Sequence, residues 1–228
     1  DPSLTASAIR LLPEQTNTPV VVFGGTFDPV HVGHLHAVDT LRGVLRASRV
    51  VCLPAGEPPH RPPPAASAAH RLAMLQLALA NKPGWVIDTR ELDRPGPSYT
   101  VLSLGELRAE YPDQPLCLAL GVDAVLGLPR WHRWKEVLAL AGIVVMHRPG
   151  WSLPDPLPAW WSGAQLDSHD SLPESGGWIK VVETPPIDVA AADIRADLAN
   201  GISIETKVPA VVVAYIKEHE LYGENTRV

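Results

Sequence analysis

The chain has 228 residues, 46% of them hydrophobic, with 24 prolines, 17 glycines and 2 cysteines. That apolar share excludes a disordered chain despite the prolines and glycines, and a chain of this length can bury roughly 70% of its unfolded surface around one full core. A net charge of −6 argues against a nucleic-acid coat or a basic membrane-binding face, yet leaves room for a locally basic pocket.

Residues 1–18 read as a loose leader without the basic-then-apolar pattern of a secretory signal. Val20 to Phe23 is a short β-branched apolar run, closed by Gly24-Gly25, and predicts a buried strand. A helix follows over Gly33–Ala47, with Leu35, Val38, Leu41 and Leu45 at three- and four-residue spacing, and then a strand over Val50–Leu53. Strand, helix and strand within about 35 residues make a βαβ unit with a right-handed crossover. Ser67 is placed to cap a helix reaching Ala80, before a strand over Trp85–Asp88. Ser98 is placed to cap a helix reaching Glu110, before a strand over Leu116–Leu120. A helix over Trp134–Ala141 leads to the strand Ile143–Met146.

The rhythm breaks in the stretch 151–177, where four prolines and three tryptophans predict an irregular excursion. A last strand over Trp178–Val182 precedes helices over Ala191–Ala199 and Pro209–Glu220, with Pro209 suited to a first helical position. The longest apolar run, Val137 to Met146, is about half of the ~20 residues that a membrane-spanning helix needs. Cys52 and Cys117 lie in strand-like runs and read as buried thiols rather than a disulfide. The alternation predicts an α/β domain over 19–222: a doubly wound, mainly parallel sheet flanked by helices, with 187–222 as a C-terminal helical part and 223–228 as a tail.

In such sheets ligands bind beyond the carboxyl ends of the strands, where the unusual residues of this chain fall. The run Gly24-Gly25-Thr26-Phe27-Asp28-Pro29-Val30-His31-Val32-Gly33-His34 has no P-loop lysine and does not fit G-x-G-x-x-G. It nevertheless holds the parts of an anion site. Two glycines let backbone N–H groups approach a phosphate, Thr26 adds a hydroxyl, and a helix N-terminus points at the same place. His31 and His34 share one face of the first helical turn. A zinc pair is the alternative, but no cysteine or acidic partner stands at the usual spacing, so no metal ligands are assigned. A plain turn with surface histidines is the other.

This run resembles the G-G-T-F-D-P-x-H-x-G-H signature of the nucleotidylyltransferase superfamily. Pro54-Ala55-Gly56-Glu57-Pro58-Pro59-His60-Arg61, Arg71-Leu72-Ala73-Met74 and Pro97-Ser98-Tyr99-Thr100 extend the resemblance toward bacterial nicotinate-nucleotide adenylyltransferases. Gly121-Val122-Asp123, Leu128-Pro129-Arg130-Trp131-His132-Arg133-Trp134, Arg148-Pro149-Gly150 and the closing Val208-Pro209 to Tyr215-Ile216 fit it too. It covers about 19–222, with 151–177 poorly matched.

The resemblance implies a Rossmann-like nucleotidylyltransferase fold and transfer of AMP from ATP to nicotinate mononucleotide, with Mg²⁺, in the bacterial cytoplasm. It implies that His31, His34 and Arg195 serve catalysis, with His34 stabilising the transition state. Gly24, Gly25, Thr26, Phe27, Gly33, Gly121, Asp123 and Ile194 would bind ATP. His60, Arg61, Tyr99, Thr100, Trp131 and Arg148 would bind the mononucleotide: Trp131 by stacking on the pyridine ring, Thr100 and its neighbours by backbone amides. Trp131 as a core residue and Arg148 as a solvated surface residue are the alternatives. The proline-rich stretch 54–64 is either a stiffened lid or a solvated connection. Partners beyond these substrates are not implied, and the chain would act as a monomer or small homo-oligomer.

One departure stands out. The family carries I-S-x-T-x-I-R where this chain reads Val189-Ala190-Ala191-Ala192-Asp193-Ile194-Arg195, so both hydroxyl positions are alanine. The loss of two neutral donors, on the order of 1 kcal/mol each, predicts weaker nucleotide binding rather than lost chemistry. Pantetheine-phosphate adenylyltransferase or another nucleotidylyltransferase, and a non-catalytic nucleotide-sensing module, are the competing functions.

Overall fold

In the computed structural model, residues 18–56, 63–147, 152–185 and 187–223 are described. Six strands form one sheet: β1 (Val20–Gly25), β2 (Arg49–Pro54), β3 (Trp85–Ile87), β4 (Leu116–Gly121), β5 (Gly142–His147) and β6 (Ile179–Glu183). Their spatial order is β3-β2-β1-β4-β5-β6, and every neighbouring pair is parallel. This is the doubly wound order, in which the strand order reverses between β1 and β4 and opens a crevice there.

The register shows the crevice. β1 pairs with β2 along its whole length, through Gly25 opposite Pro54, but with β4 only as far as Val22 opposite Leu118. The last residues of β1 and β4 therefore diverge.

Period-two alternation sends side chains into two cores, one on each face. Val21, Phe23, Cys52, Cys117 and Val144 face one core with helices α1 (Val32–Leu45), α2 (Ala68–Leu79), α8 (Ala191–Ala199) and α9 (Ala210–Glu218). Val20, Val22, Leu53, Leu118 and Ile143 face the other with α4 (Thr100–Glu110), α5 (Val122–Leu126) and α6 (Trp134–Leu140). Both cysteines are free, and burial pushes each thiol up to about 12. Among the described residues no helix is long and apolar enough to cross a membrane.

Two expectations need correction, and two regions carry more order than the sequence assigned them. Ser98 does not cap α4: its hydroxyl accepts from Arg94, and the helix begins one residue later behind Tyr99, whose side chain makes no capping bond. Pro209 takes the N-cap position, with Ala210 the first helical residue. Short helices α3 (Arg90–Asp93) and α5, and a 3₁₀ turn over Leu128–Arg130, occupy stretches to which the sequence assigned no element. The excursion is irregular over most of 152–177, as expected, and it is anchored. It contains helix α7 (Ala159–Ser162), buries Trp161 completely, and runs parallel to β6 through Gln165 opposite Ile179. The Lys180 ammonium secures it by donating to the carbonyls of Asp167, Ser168 and Asp170 at 3.0, 3.0 and 3.3 Å.

Candidate active site

The turn after β1 is built around two histidines. His31 is the N-cap of α1 in extended conformation, with φ −142°. The backbone N–H of His34 donates to His31 Nδ1 at 3.3 Å, and the N–H of His31 donates to His34 Nδ1 at 3.4 Å. This reciprocal box normally takes Ser or Thr with Glu; two imidazoles fill it here. The rings stack at 3.6 Å between centroids and 19° between planes. Because each Nδ1 accepts a bond, the neutral form of each ring carries its proton on Nε2. Burial, and then the charge of His31, hold the His34 imidazole well below its ordinary value of 6.5. At neutral pH His34 is an uncharged N–H donor.

Neighbours fix this arrangement. Phe27, buried and left-handed at φ 52°, sets its ring edge-on to His34 at 5.3 Å, and Phe23 does the same at 5.9 Å. Gly33 leaves room for the His31 ring: a Cβ there would lie 3.0 Å from His31 Nδ1 and 3.5 Å from the Val189 carbonyl. The start of α8 therefore lies against the start of α1. Gly24 is exposed at the end of β1, with Gly25 and Thr26 half-buried beside it.

Asp28 and Arg71 hold the turn from behind. The Asp28 carboxylate, almost fully buried, accepts from the backbone of Ala65 at 2.7 Å, from the backbone of Ala66 at 3.0 Å and from the Tyr222 hydroxyl at 2.7 Å. Arg195, on α8, donates to the Asp28 carbonyl at 2.6 Å, with its guanidinium 3.8 Å from the carboxylate. Arg71 is 2% exposed and donates to the carbonyls of Thr26 at 2.7 Å and Ala55 at 2.9 Å. It thus pins the ends of β1 and β2 together.

Neither Asp28 nor Arg71 stands among the predicted site residues. Arg71 had a signal: with Met74, Leu75 and Leu79 it lies at i, i+3, i+4 and i+8 on the buried stripe of α2, where an arginine requires a dedicated partner. Asp28 lay inside the motif, but its partners are distant in sequence.

The remaining candidates spread around the same strand ends. Arg195 joins the histidine turn through Asp28, whereas the Ile194 side chain is fully buried in the core. Ala190, the N-cap of α8, makes no side-chain cap, and both Ala190 and Ala192 are exposed where hydroxyls were expected. Gly121 ends β4 and starts α5 across the crevice, with nothing within 4 Å of a Cβ built on it, and Asp123 is exposed in the first turn. Tyr99 and Thr100 begin α4, and the Tyr99 ring lies 4.5 Å from His132, bringing that loop to the Trp131 segment. Trp131 is half-buried, with one part packed on the core. Arg130 is exposed on the 3₁₀ turn. His60, Arg61 and Arg148 lie outside the described residues.

A parallel sheet with a glycine turn and paired histidines at its switch point defines the class: a nucleotide-binding α/β protein of the nucleotidylyltransferase type. A family model described as cytidylyltransferase-like matches residues 22–197. A relative from Aeromonas hydrophila named "Probable nicotinate-nucleotide adenylyltransferase" is 42% identical over 90% of this chain and 97% of its own. One of the same name from Laribacter hongkongensis is 44% identical over 88% of this chain and 93% of its own. The chain belongs to the nicotinate-nucleotide adenylyltransferase family. Its fold matches that of the Plasmodium falciparum nicotinic acid mononucleotide adenylyltransferase solved in complex with NaAD, with a TM-score of 0.69 at 14% identity, over 90% of this chain and 98% of the other.

Proposed function

We propose that the protein transfers AMP from ATP to nicotinate mononucleotide, giving nicotinate adenine dinucleotide and pyrophosphate in NAD biosynthesis. The observation that carries this reading is the reciprocally capped His31/His34 pair at the β1–β4 crevice, in a chain whose relatives bear that activity in their names.

The chemistry asks for such a site. A phosphate monoester loses its second proton near pH 6, so the acceptor oxygen is already nucleophilic at neutral pH and no strong base is needed. That oxygen attacks the α-phosphorus in line as the bond to the α–β bridging oxygen breaks, and pyrophosphate carries away the electron pair. Catalysis then consists of positioning two polyanions and stabilising charge on the transferring group. His31 and His34 offer Nε2–H donors, α1 and α8 offer the positive ends of their dipoles, and Arg195 adds a cation beside them.

Magnesium belongs to this reading as part of the nucleotide, where it neutralises phosphate charge. It keeps several waters and binds mainly through phosphates, so few protein ligands are required. The donors at the site fit an anion rather than a bare metal, and the carboxylate of Asp28 is already engaged by three hydrogen-bond donors and Arg195. In the same proposal, Trp131, Tyr99 and Thr100 receive the pyridine nucleotide. We place the enzyme in the cytoplasm, acting as a monomer or small homo-oligomer.

The test is to supply ATP labelled at the α-phosphate with Mg²⁺ and nicotinate mononucleotide. Label recovered in the dinucleotide, with unlabelled pyrophosphate, supports the reading. Label released as free AMP alone would refute it.

A further inference from the structure

The hydrogen bond from Tyr222 to Asp28 joins residues 194 positions apart and connects the end of the chain to the turn that carries both histidines. Both residues are almost fully buried, at 5% exposure each. Burial, then the adjacent Asp28 charge, push the Tyr222 hydroxyl upward, so it remains protonated and donates. Three other groups reach Asp28: the amides of Ala65 and Ala66 at the end of the proline-rich loop, and the Arg195 guanidinium; Arg71 lies close enough to feel its charge.

The backbone conformation supports a positioning role. Tyr222 sits at φ 64° and Glu220 at φ 50°, two left-handed non-glycine residues in the last turn after α9. Phe27, immediately before Asp28, is also left-handed at φ 52°. Such backbone is costly for residues with a side chain, and it persists where the surroundings impose it. Here it occurs at both ends of a single hydrogen bond. At one end it turns the chain back so that the phenol reaches Asp28; at the other it places the Phe27 ring against His34.

We propose that Tyr222, acting through Asp28, is a positioning residue for the His31/His34 pair, so that the segment after α9 and the phosphate-binding turn form one mechanical unit. Tyr222 bonds to Asp28 and acts on the histidines through it. It sets the angle at which residues 27–31 leave β1, and so the direction in which the two Nε2–H groups point. This inference rests on the proposed function of the histidine pair.

The experiment compares the full chain with Tyr222→Phe, which removes one oxygen. The expected result is a fall in kcat of about tenfold, the size of one hydrogen bond to a charged group, with the KM for nicotinate mononucleotide unchanged and the melting temperature lowered by only a few degrees. Imidazole ¹⁵N spectra without substrate should show His31 and His34 as single Nε2–H tautomers in the parent and shifted or mixed in the variant. A lower melting temperature with kcat and the imidazole signals unchanged would overturn the proposal and leave Tyr222 as packing. Should the parent fail to turn over ATP and nicotinate mononucleotide, the substrate reading fails, and the imidazole signals alone decide the positioning role. If the variant does not fold, hydrogen exchange on the parent decides: ATP should slow exchange in 26–35 and 219–223 together, and slowing confined to 26–35 would overturn the proposal.

Discussion

His31 and His34 cap each other's backbone, so a single pair of side chains both starts helix α1 and presents two imidazole donors at the sheet's switch point. The capping role of each Nδ1 and the proposed chemical role of each Nε2–H therefore fall on the same two side chains, and experiments must separate them. His31→Asn does so, because asparagine is among the best N-caps but has no Nε2–H. Stability should stay within about 1 kcal/mol of the parent, while turnover falls by about a hundredfold, the scale of one lost transition-state donor. Urea unfolding and steady-state kinetics on one preparation would check both.

His34 gives a pH dependence with a definite sign. Burial, and secondarily His31, hold its folded pKa well below 6.5, so between those two values the unfolded chain binds more protons than the native one. Stability then rises with pH over that interval, is complete above about 6.5, and is lost as pH falls toward the folded value. Urea midpoints measured between about pH 5 and pH 7.5 should decline on the acid side, and His34→Gln should flatten that part of the decline.

Gly33→Ala is expected to uncouple stability from activity. Inside a helix, alanine is better than glycine by about 1 kcal/mol, yet the added methyl would lie 3.0 Å from His31 Nδ1. The fold should survive with a melting temperature near that of the parent, while kcat/KM for ATP falls by about tenfold or more as the imidazole is displaced. Circular dichroism melting beside kinetics measures the two effects.

Arg71→Met addresses the support behind the turn. The change strands the carbonyls of Thr26 and Ala55 in a buried site, and should destabilise the protein by about 3 kcal/mol. Arg71→Lys retains the charge but reaches fewer acceptors, and should fall between the two in chemical denaturation.

Periodicity made the strands and long helices legible, because Val20 to Phe23 and the stripe of α1 bury residues in the pattern their spacing dictates. The local motif made the histidines legible, because capping acts over three residues. What stayed hidden depends on contacts between distant segments. Ser98 has the chemistry of a cap but is captured by Arg94, whose guanidinium also holds Glu106. The Trp-rich stretch has no period of its own, and its order comes from Lys180 and the side of β6. Asp28 gains its meaning only when Ala65, Arg195 and Tyr222 arrive beside it. The alanines at 190 and 192 stand as the sequence shows them, at an exposed helix start with no side-chain cap.

Which acceptor the crevice serves decides the proposed function. Pyrophosphate release from ATP and Mg²⁺ should be compared for nicotinate mononucleotide, nicotinamide mononucleotide and phosphopantetheine, as kcat/KM for each. Release is expected with nicotinate mononucleotide at the highest kcat/KM of the three, and none above background with phosphopantetheine. Release with phosphopantetheine alone, or with neither pyridine nucleotide, would contradict it.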